Sequence, residues 1–439
     1  MKLIFIILDG VPDRPCNEFN GLTPLEAANT PNLDRLAKQG KMGEIVIIND
    51  KIPPETDSAV LALFGYDPII YNRGRGPLEA YGMGINFEEG DLVIRCNFAT
   101  MLDDKIVDVR AGRISSEESK RLVDFVQENI ELNTFFVDVK FVHTLNYRAL
   151  LILHPKIGKL SDQISNTHPG YERLPGYMEL PKELVGEKKF EECVPLDNKR
   201  ESKISATLIN EFTEKSHELL ENHQMNLERK QMGFNPANLL IMRGAGKSLP
   251  KLENFEEKYE HRWLCLGDTP GEKGIAKLLG MDTLKNLPDP KLDELSGNST
   301  IEQIDEAVKN DMEIRVKELL KNFYNYDCFY LHIKGPDPFG HAGLPEKKKR
   351  VIEGIDKWFF EELLNNINLN ETIVCVTSDH STPCSLKAHS SDTVPILISG
   401  GKIKSDSLDK FGESFCKKGS IKKIKATELI NILMRDFHA

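Results

Sequence analysis

The sequence predicts an α/β protein with an α+β insertion, and three observations carry that expectation. Apolar, β-rich runs near both ends of the chain each stop at an acid, residues 3–8 before Asp9 and residues 372–376 before Asp379. Such runs are expected of strands buried on both faces of a parallel sheet. Between about residues 87 and 255 the texture changes to short alternating segments and charged helical stretches, which reads as a separate unit. At 439 residues the chain also exceeds what one hydrophobic core usually supports. The expected layout is therefore one sheet-based domain in two parts, 1–86 and 256–439, interrupted by 87–255.

Taken in order, residues 3–8 form the first strand, ended by Asp9-Gly10. Residues 25–38 have helical spacing broken at Asn29-Thr30-Pro31, so Thr30 is the expected N-cap and Pro31 the first helical residue. Thr56, Asp57 and Ser58 precede a short apolar helix beginning near Ala59 and closed by Gly65. Ser58 stands directly before the apolar run and reads as its cap, leaving Thr56 free. In the middle region, residues 92–98, 135–141 and 149–153 read as strands, and 116–129 and 204–222 as helices. The α/β rhythm returns with strands at 261–266 and 329–333. Asp337 and His341 follow in an expected loop, then an amphipathic helix over 348–365. A strand at 394–399 and a helix at 426–437 complete the chain.

Composition narrows the function classes. A net charge of −11 argues against a nucleic-acid surface. The six-residue apolar run at the N-terminus meets Asp9 without a cleavage-site pattern, and no apolar stretch approaches membrane-spanning length. The expected setting is cytoplasmic. Eight scattered cysteines without a CxxC pair read as small buried hydrophobes. Two glycine-rich stretches resemble phosphate loops only superficially. Pro77 stands where the first lacks its Lys-Ser/Thr pair, and Pro250 would break the helix after the second.

The chemistry lies at strand ends. Asp9, Asp337 and Asp379 each follow a strand, and His341, His380 and His389 lie close behind two of them. Three carboxylates and three imidazoles supply three ligands for each of two divalent ions, and this donor set suits zinc or manganese. A pair of ions with a hydroxyl between them is apparatus for in-line phosphoryl or sulfuryl transfer.

The segments ILDGVPDRP, TPLEAANTPNLDRLAKQG, FGYDP, GRGPLEAYG, HIKGPDPFGHAG and SDHSTPC…KAHSSDTVP resemble the archaeal-type, cofactor-independent phosphoglycerate mutases of the alkaline phosphatase superfamily. The resemblance runs nearly end to end in the same motif order. It implies a doubly wound catalytic domain and an inserted domain that closes over a small phosphorylated substrate. It also implies two divalent ions (manganese, zinc or magnesium) and no need for 2,3-bisphosphoglycerate. One ion would take Asp337, His341 and His389; the other would take Asp9, Asp379, His380 and the nucleophile. Thr56 aligns with the family's nucleophilic serine, and Lys334 with the lysine before the metal acid. Arg75, Arg148, Asp162 and Arg243 align with substrate-binding positions. The chain departs from the pattern at Glu55, Thr56 and Val60, where Gly, Ser and His are usual, and at His168, where an acid is more usual. The alternative activity is that of a metal-dependent phosphatase or phosphodiesterase on the same scaffold.

Overall fold

The computed structural model describes residues 1–439 except 175–177, 183–185, 285–286, 288–291, 293–294 and 296. The chain divides into two compact units, Met1–Tyr71 with Lys251–Asp268 and Ile275–Ala439, and Asn72–Pro250 with Thr269–Gly274. The edge of the second unit falls at Asn72, earlier than the residue 87 expected from sequence texture. Its first helix, Arg75–Met83, packs on the strands Leu92–Leu102 and Leu239–Gly246. Glycines permit that approach: a Cβ on Gly76 would lie 2.4 Å from the Val93 carbonyl oxygen.

Among the described residues, the first unit is built on a sheet of eight strands. Their order is Asp282–Thr283, Trp263–Leu266, Cys328–Ile333, Lys2–Leu8, Thr372–Thr377, Val394–Gly400, Lys41–Val46 and Lys422–Lys425. All neighbours are parallel except Val394–Gly400, which runs against both of its partners. The central strand alternates between two cores. Ile4, Ile6 and Leu8 join a cluster with Leu33, Leu36, Ile304, Val308, Val351 and Ile355 from helices on one face. Phe5 points the other way, its ring 5.5 Å from Phe64, which itself lies 4.9 Å from Tyr330. Helices thus cover both faces, as a doubly wound sheet requires.

Register sets the site. Leu8 pairs with Ile333 and Ile7 with Thr377, so the three central parallel strands end together at one edge. Asp9, Lys334 and Asp379 leave the sheet there, where open α/β sheets present their chemistry.

Three local expectations change. The helix expected over 348–365 is Pro345–Ile355, a π turn at Asp356–Phe360, and then Glu361–Asn366. Asp337 and His341 lie in a short helix, Pro336–Ala342, because Gly335 at φ +128° and Pro336 together start a helical turn. Thr30 occupies the N-cap position of Pro31–Gln39, but its hydroxyl caps nothing. Instead Asp356, from the π turn, accepts the amides of Leu33 (2.8 Å) and Asn32 (3.2 Å).

Asp356→Ala should therefore lower stability by about 1–2 kcal/mol, whereas Thr30→Ala should stay within about 0.5 kcal/mol, as read from urea midpoints. Burial pushes the Asp356 carboxyl up to about 6. Folding then favours the protonated form, and this contribution is complete below the ordinary carboxylate range and lost as pH rises through about 6. Asp356→Ala should remove that slope.

The second unit contains an antiparallel sheet in the order Val137–Leu145, Arg148–Pro155, Leu92–Leu102, Lys105–Asp108 and Lys188–Lys189. Leu239–Gly246 also pairs with Leu92–Leu102. The helices Ser116–Asn129 and Arg200–Glu221 contribute Leu122, Val126, Leu208 and Phe212 to its core.

Candidate metal centre

The three expected acids and three expected histidines converge in the first unit. His380 Nε2 lies 3.1 Å from Asp379 Oδ2 and 3.3 Å from Asp9 Oδ1. His341 Nε2 and His389 Nε2 each lie 3.5 Å from Asp337 Oδ1. The His380 and His389 rings stack with centroids 3.6 Å apart, which brings the two halves side by side. Lys334 Nζ sits 3.1 Å from Asp9 Oδ2. Gly10 is obligatory between them: its φ is +61°, and a Cβ would meet Thr382 Oγ1 at 2.7 Å and the Asp337 Cβ at 2.8 Å.

Hydrogen bonding on the far side of each ring fixes its tautomer. His389 Nδ1 meets the Pro54 carbonyl at 2.8 Å, and His341 Nδ1 meets the Lys387 carbonyl at 3.1 Å. A carbonyl only accepts, so both Nδ1 atoms carry protons. Thr382 Oγ1 donates to Asp337 Oδ1 (2.7 Å) and faces His380 Nδ1 at 3.0 Å, so it accepts from that nitrogen as well. A neutral ring then turns an Nε2 lone pair toward a carboxylate oxygen, an arrangement that needs a cation between the two acceptors. Among the described residues, Asp9 Oδ1 and Asp379 Oδ2 are buried oxygens that accept no hydrogen bond. The residues fit divalent ions, and ligand histidines tethered through their other nitrogen are the usual form of such sites.

Electrostatics agrees with geometry. Burial alone would push the Asp337 and Asp379 carboxyls up, yet the adjacent imidazoles hold both well below the usual range. Burial opposes charge on His380, but Asp379 and Asp9 outweigh it and raise the imidazole. A proton there and a divalent ion are alternative answers to the same negative charge.

His332 was missed from sequence. It is fully buried, its Nε2 lies 3.5 Å from Asp379 Oδ2, and with Asp9 and Asp379 it forms another potential ligand group. The available signal was a polar residue inside an otherwise apolar strand, two positions before Lys334 and hence on the same face.

Thr56 is half-buried and opens the helix Thr56–Leu63. Glu55 occupies the N-cap position, and Ser58, expected to be the cap, is instead a buried residue within the first turn. The segment before Thr56 rests on His389 through Pro54, and Glu55 Oε1 lies 3.5 Å from His389 Nδ1.

The candidate substrate arginines belong to the second unit. Arg95 and Arg243 face each other across paired strands, a repulsive register that needs compensation. Glu79 supplies it to Arg95 (2.8 Å) and Arg75 (2.7 Å), and Glu179 pairs with Arg243. Burial would raise Glu79, but Arg95, Arg75 and Arg148 hold its carboxyl down at about 2. Burial and the flanking arginines pull Arg95 down to about 9, against the pull of Glu79. Arg243 also stacks 3.6 Å over the Tyr171 ring. His168 is buried and held neutral, first by burial and then by Arg243 and Arg95. Its Nδ1 accepts the Gly170 amide at 3.1 Å, so the proton is on Nε2. Asp162 is buried and accepts from Gln163 Nε2 at 3.0 Å.

Comparison with known proteins settles the family. The model of the 2,3-bisphosphoglycerate-independent phosphoglycerate mutases matches residues 37–226. Over 433 residues the chain is 37% identical to the Thermococcus kodakarensis protein of that name, covering 99% of this chain and 96% of that one. The chain belongs to this family. A Pyrococcus abyssi 2,3-bisphosphoglycerate-independent phosphoglycerate mutase is 38% identical over 434 residues, with 99% and 97% covered. Among solved structures, a Pyrococcus horikoshii protein superposes with a TM-score of 0.75 at 30% identity, with 100% of this chain and 97% of that one covered. The cofactor-independent phosphoglycerate mutase from Thermoplasma acidophilum gives 0.56 at 29%, with both chains covered completely. Phosphoglycerate mutases are isomerases, intramolecular phosphotransferases, and the mutase family places this chain among enzymes of that class.

Proposed function

We propose that the protein interconverts 3-phosphoglycerate and 2-phosphoglycerate without 2,3-bisphosphoglycerate, through a phosphorylated Thr56, as a step shared by glycolysis and gluconeogenesis. The observation that carries this reading is the convergence of Asp9, Asp337, His341, Asp379, His380 and His389 with every histidine Nε2 turned toward a carboxylate. Divalent ions bound by these residues, manganese among them, would neutralise the transferring phosphoryl group and favour the ionised nucleophile. One ion would be held by Asp337, His341 and His389, the other by Asp9, Asp379, His380 and Thr56.

The chain's own residues do the rest. Thr56 Oγ1 gives up its proton and attacks phosphorus as the P–O bond to the glycerate breaks, and the leaving oxygen takes up a proton to become a free hydroxyl; Lys334, beside Asp9, offers its ammonium to the charge developing there. The retained glycerate then presents its other hydroxyl, which displaces the threonine oxygen and completes the isomerisation. Arg75, Arg148 and Arg243, with Asp162, bind the anionic and hydroxyl groups of the substrate. Water must be excluded while Thr56 is phosphorylated, because hydrolysis would turn the mutase into a phosphatase.

Phosphorus NMR on the purified protein with 3-phosphoglycerate and Mn²⁺ tests the reading. The expected result is growth of the 2-phosphoglycerate signal without added 2,3-bisphosphoglycerate, abolished by chelation and restored by Mn²⁺. Release of inorganic phosphate without the second isomer would support the phosphatase alternative instead.

A further inference from the structure

We propose that Lys348 is a positioning residue for the metal centre, holding the loop after Asp9 against the loop after His380. It lies in the helix Pro345–Ile355 and is completely buried. Its ammonium donates to the Asp13 carboxylate (2.8 Å), the Thr382 carbonyl (2.9 Å) and the Pro12 carbonyl (3.1 Å), which uses all three donors. Asp13 also accepts the amides of Arg14 (2.8 Å) and Cys384 (3.1 Å). The Pro12 carbonyl accepts from the Ser381 hydroxyl at 3.0 Å and the Thr382 amide at 3.2 Å. Two segments far apart in sequence thus close on one cation.

Stability is a poor explanation for this pair. Desolvating a lysine and an aspartate is costly, and apolar replacements of buried pairs are often neutral or stabilising. What the pair fixes is geometry. The residue whose carbonyl Lys348 grips, Thr382, uses its hydroxyl to bridge Asp337 and the His380 ring. Lys348 therefore stands one residue removed from candidate ligands of both ions and touches none of them.

The inference rests on the metal reading above, and the test separates the two. Lys348→Met alone would strand the Asp13 carboxylate, so the pair is changed together, Lys348→Met with Asp13→Asn, which keeps an acceptor for the Cys384 amide. Free Mn²⁺ is followed by EPR as each protein is titrated. The double variant should melt close to the parent yet bind Mn²⁺ about 10- to 100-fold more weakly. Asp356→Ala should show the reverse, a lower melting temperature with unchanged Mn²⁺ affinity. Thr382→Val, which removes only the bridging hydroxyl, should weaken Mn²⁺ binding in the same direction and gives a readout if the double variant does not fold. Parent-like affinity in a folded double variant, or in Thr382→Val, overturns the positioning role. A parent protein that binds no Mn²⁺ overturns the metal reading itself.

Discussion

On the proposed mechanism, replacing Thr56 with alanine should lower mutase turnover by at least about ten-thousand-fold, because the oxygen proposed to carry the phosphoryl group is gone and the two-step route has no substitute. The fold should survive, since Thr56 is half-buried at the start of its helix and fills no core position. Most of the Mn²⁺ should also be retained, since the carboxylates and imidazoles remain. Thr56→Ser keeps the attacking oxygen and should stay within about tenfold of the parent. Ser58→Ala should change turnover only a few-fold, because Ser58 is a buried residue of the first helical turn. Steady-state assays on the three variants decide the matter. Normal turnover in Thr56→Ala together with an inactive Ser58→Ala would transfer the role to the serine.

Asp337→Ala should have an effect of similar scale by a different route. Its Oδ1 faces His341 and His389 and accepts from the Thr382 hydroxyl, so one truncation dismantles the whole of that proposed ligand set. Elemental analysis should find divalent metal falling from close to two ions per chain to about one, with turnover reduced at least about a thousand-fold. Retention of the parental metal content would show that Asp337 is not a ligand.

The legible part of this protein was the part governed by short-range pattern. Strands buried on both faces announce themselves as apolar runs, and the acids that end them mark the active edge of a parallel sheet. That was enough to nominate Asp9, Asp337 and Asp379 and the histidines behind them. What stayed hidden depends on partners distant in sequence. Asp356 caps a helix more than three hundred residues earlier, so Thr30 looked like the cap because nothing local showed otherwise. Lys348 looked like one more charge at the start of an amphipathic helix, because Pro12, Asp13 and Thr382 lie nowhere near it in the chain. The pairing of Arg95 against Arg243 required strand register, which composition does not encode. Asp337 and His341 were placed in a loop because Pro and Gly flank them, although Pro336 at the first helical position favours the helix that forms.

The tethers on the three imidazoles differ in what evolution can do to them. His341 and His389 are oriented by main-chain oxygens, of Lys387 and Pro54, and every residue type supplies a carbonyl. Side chains at 54 and 387 can drift without disturbing those two rings. His380 is oriented by a hydroxyl, which a single nucleotide change can delete. Two of the three rings are thus held by the backbone, whereas His380, like Asp337, depends on the hydroxyl of residue 382, so mutational tolerance around the site should be lopsided, generous at positions 54 and 387 and strict at Thr382.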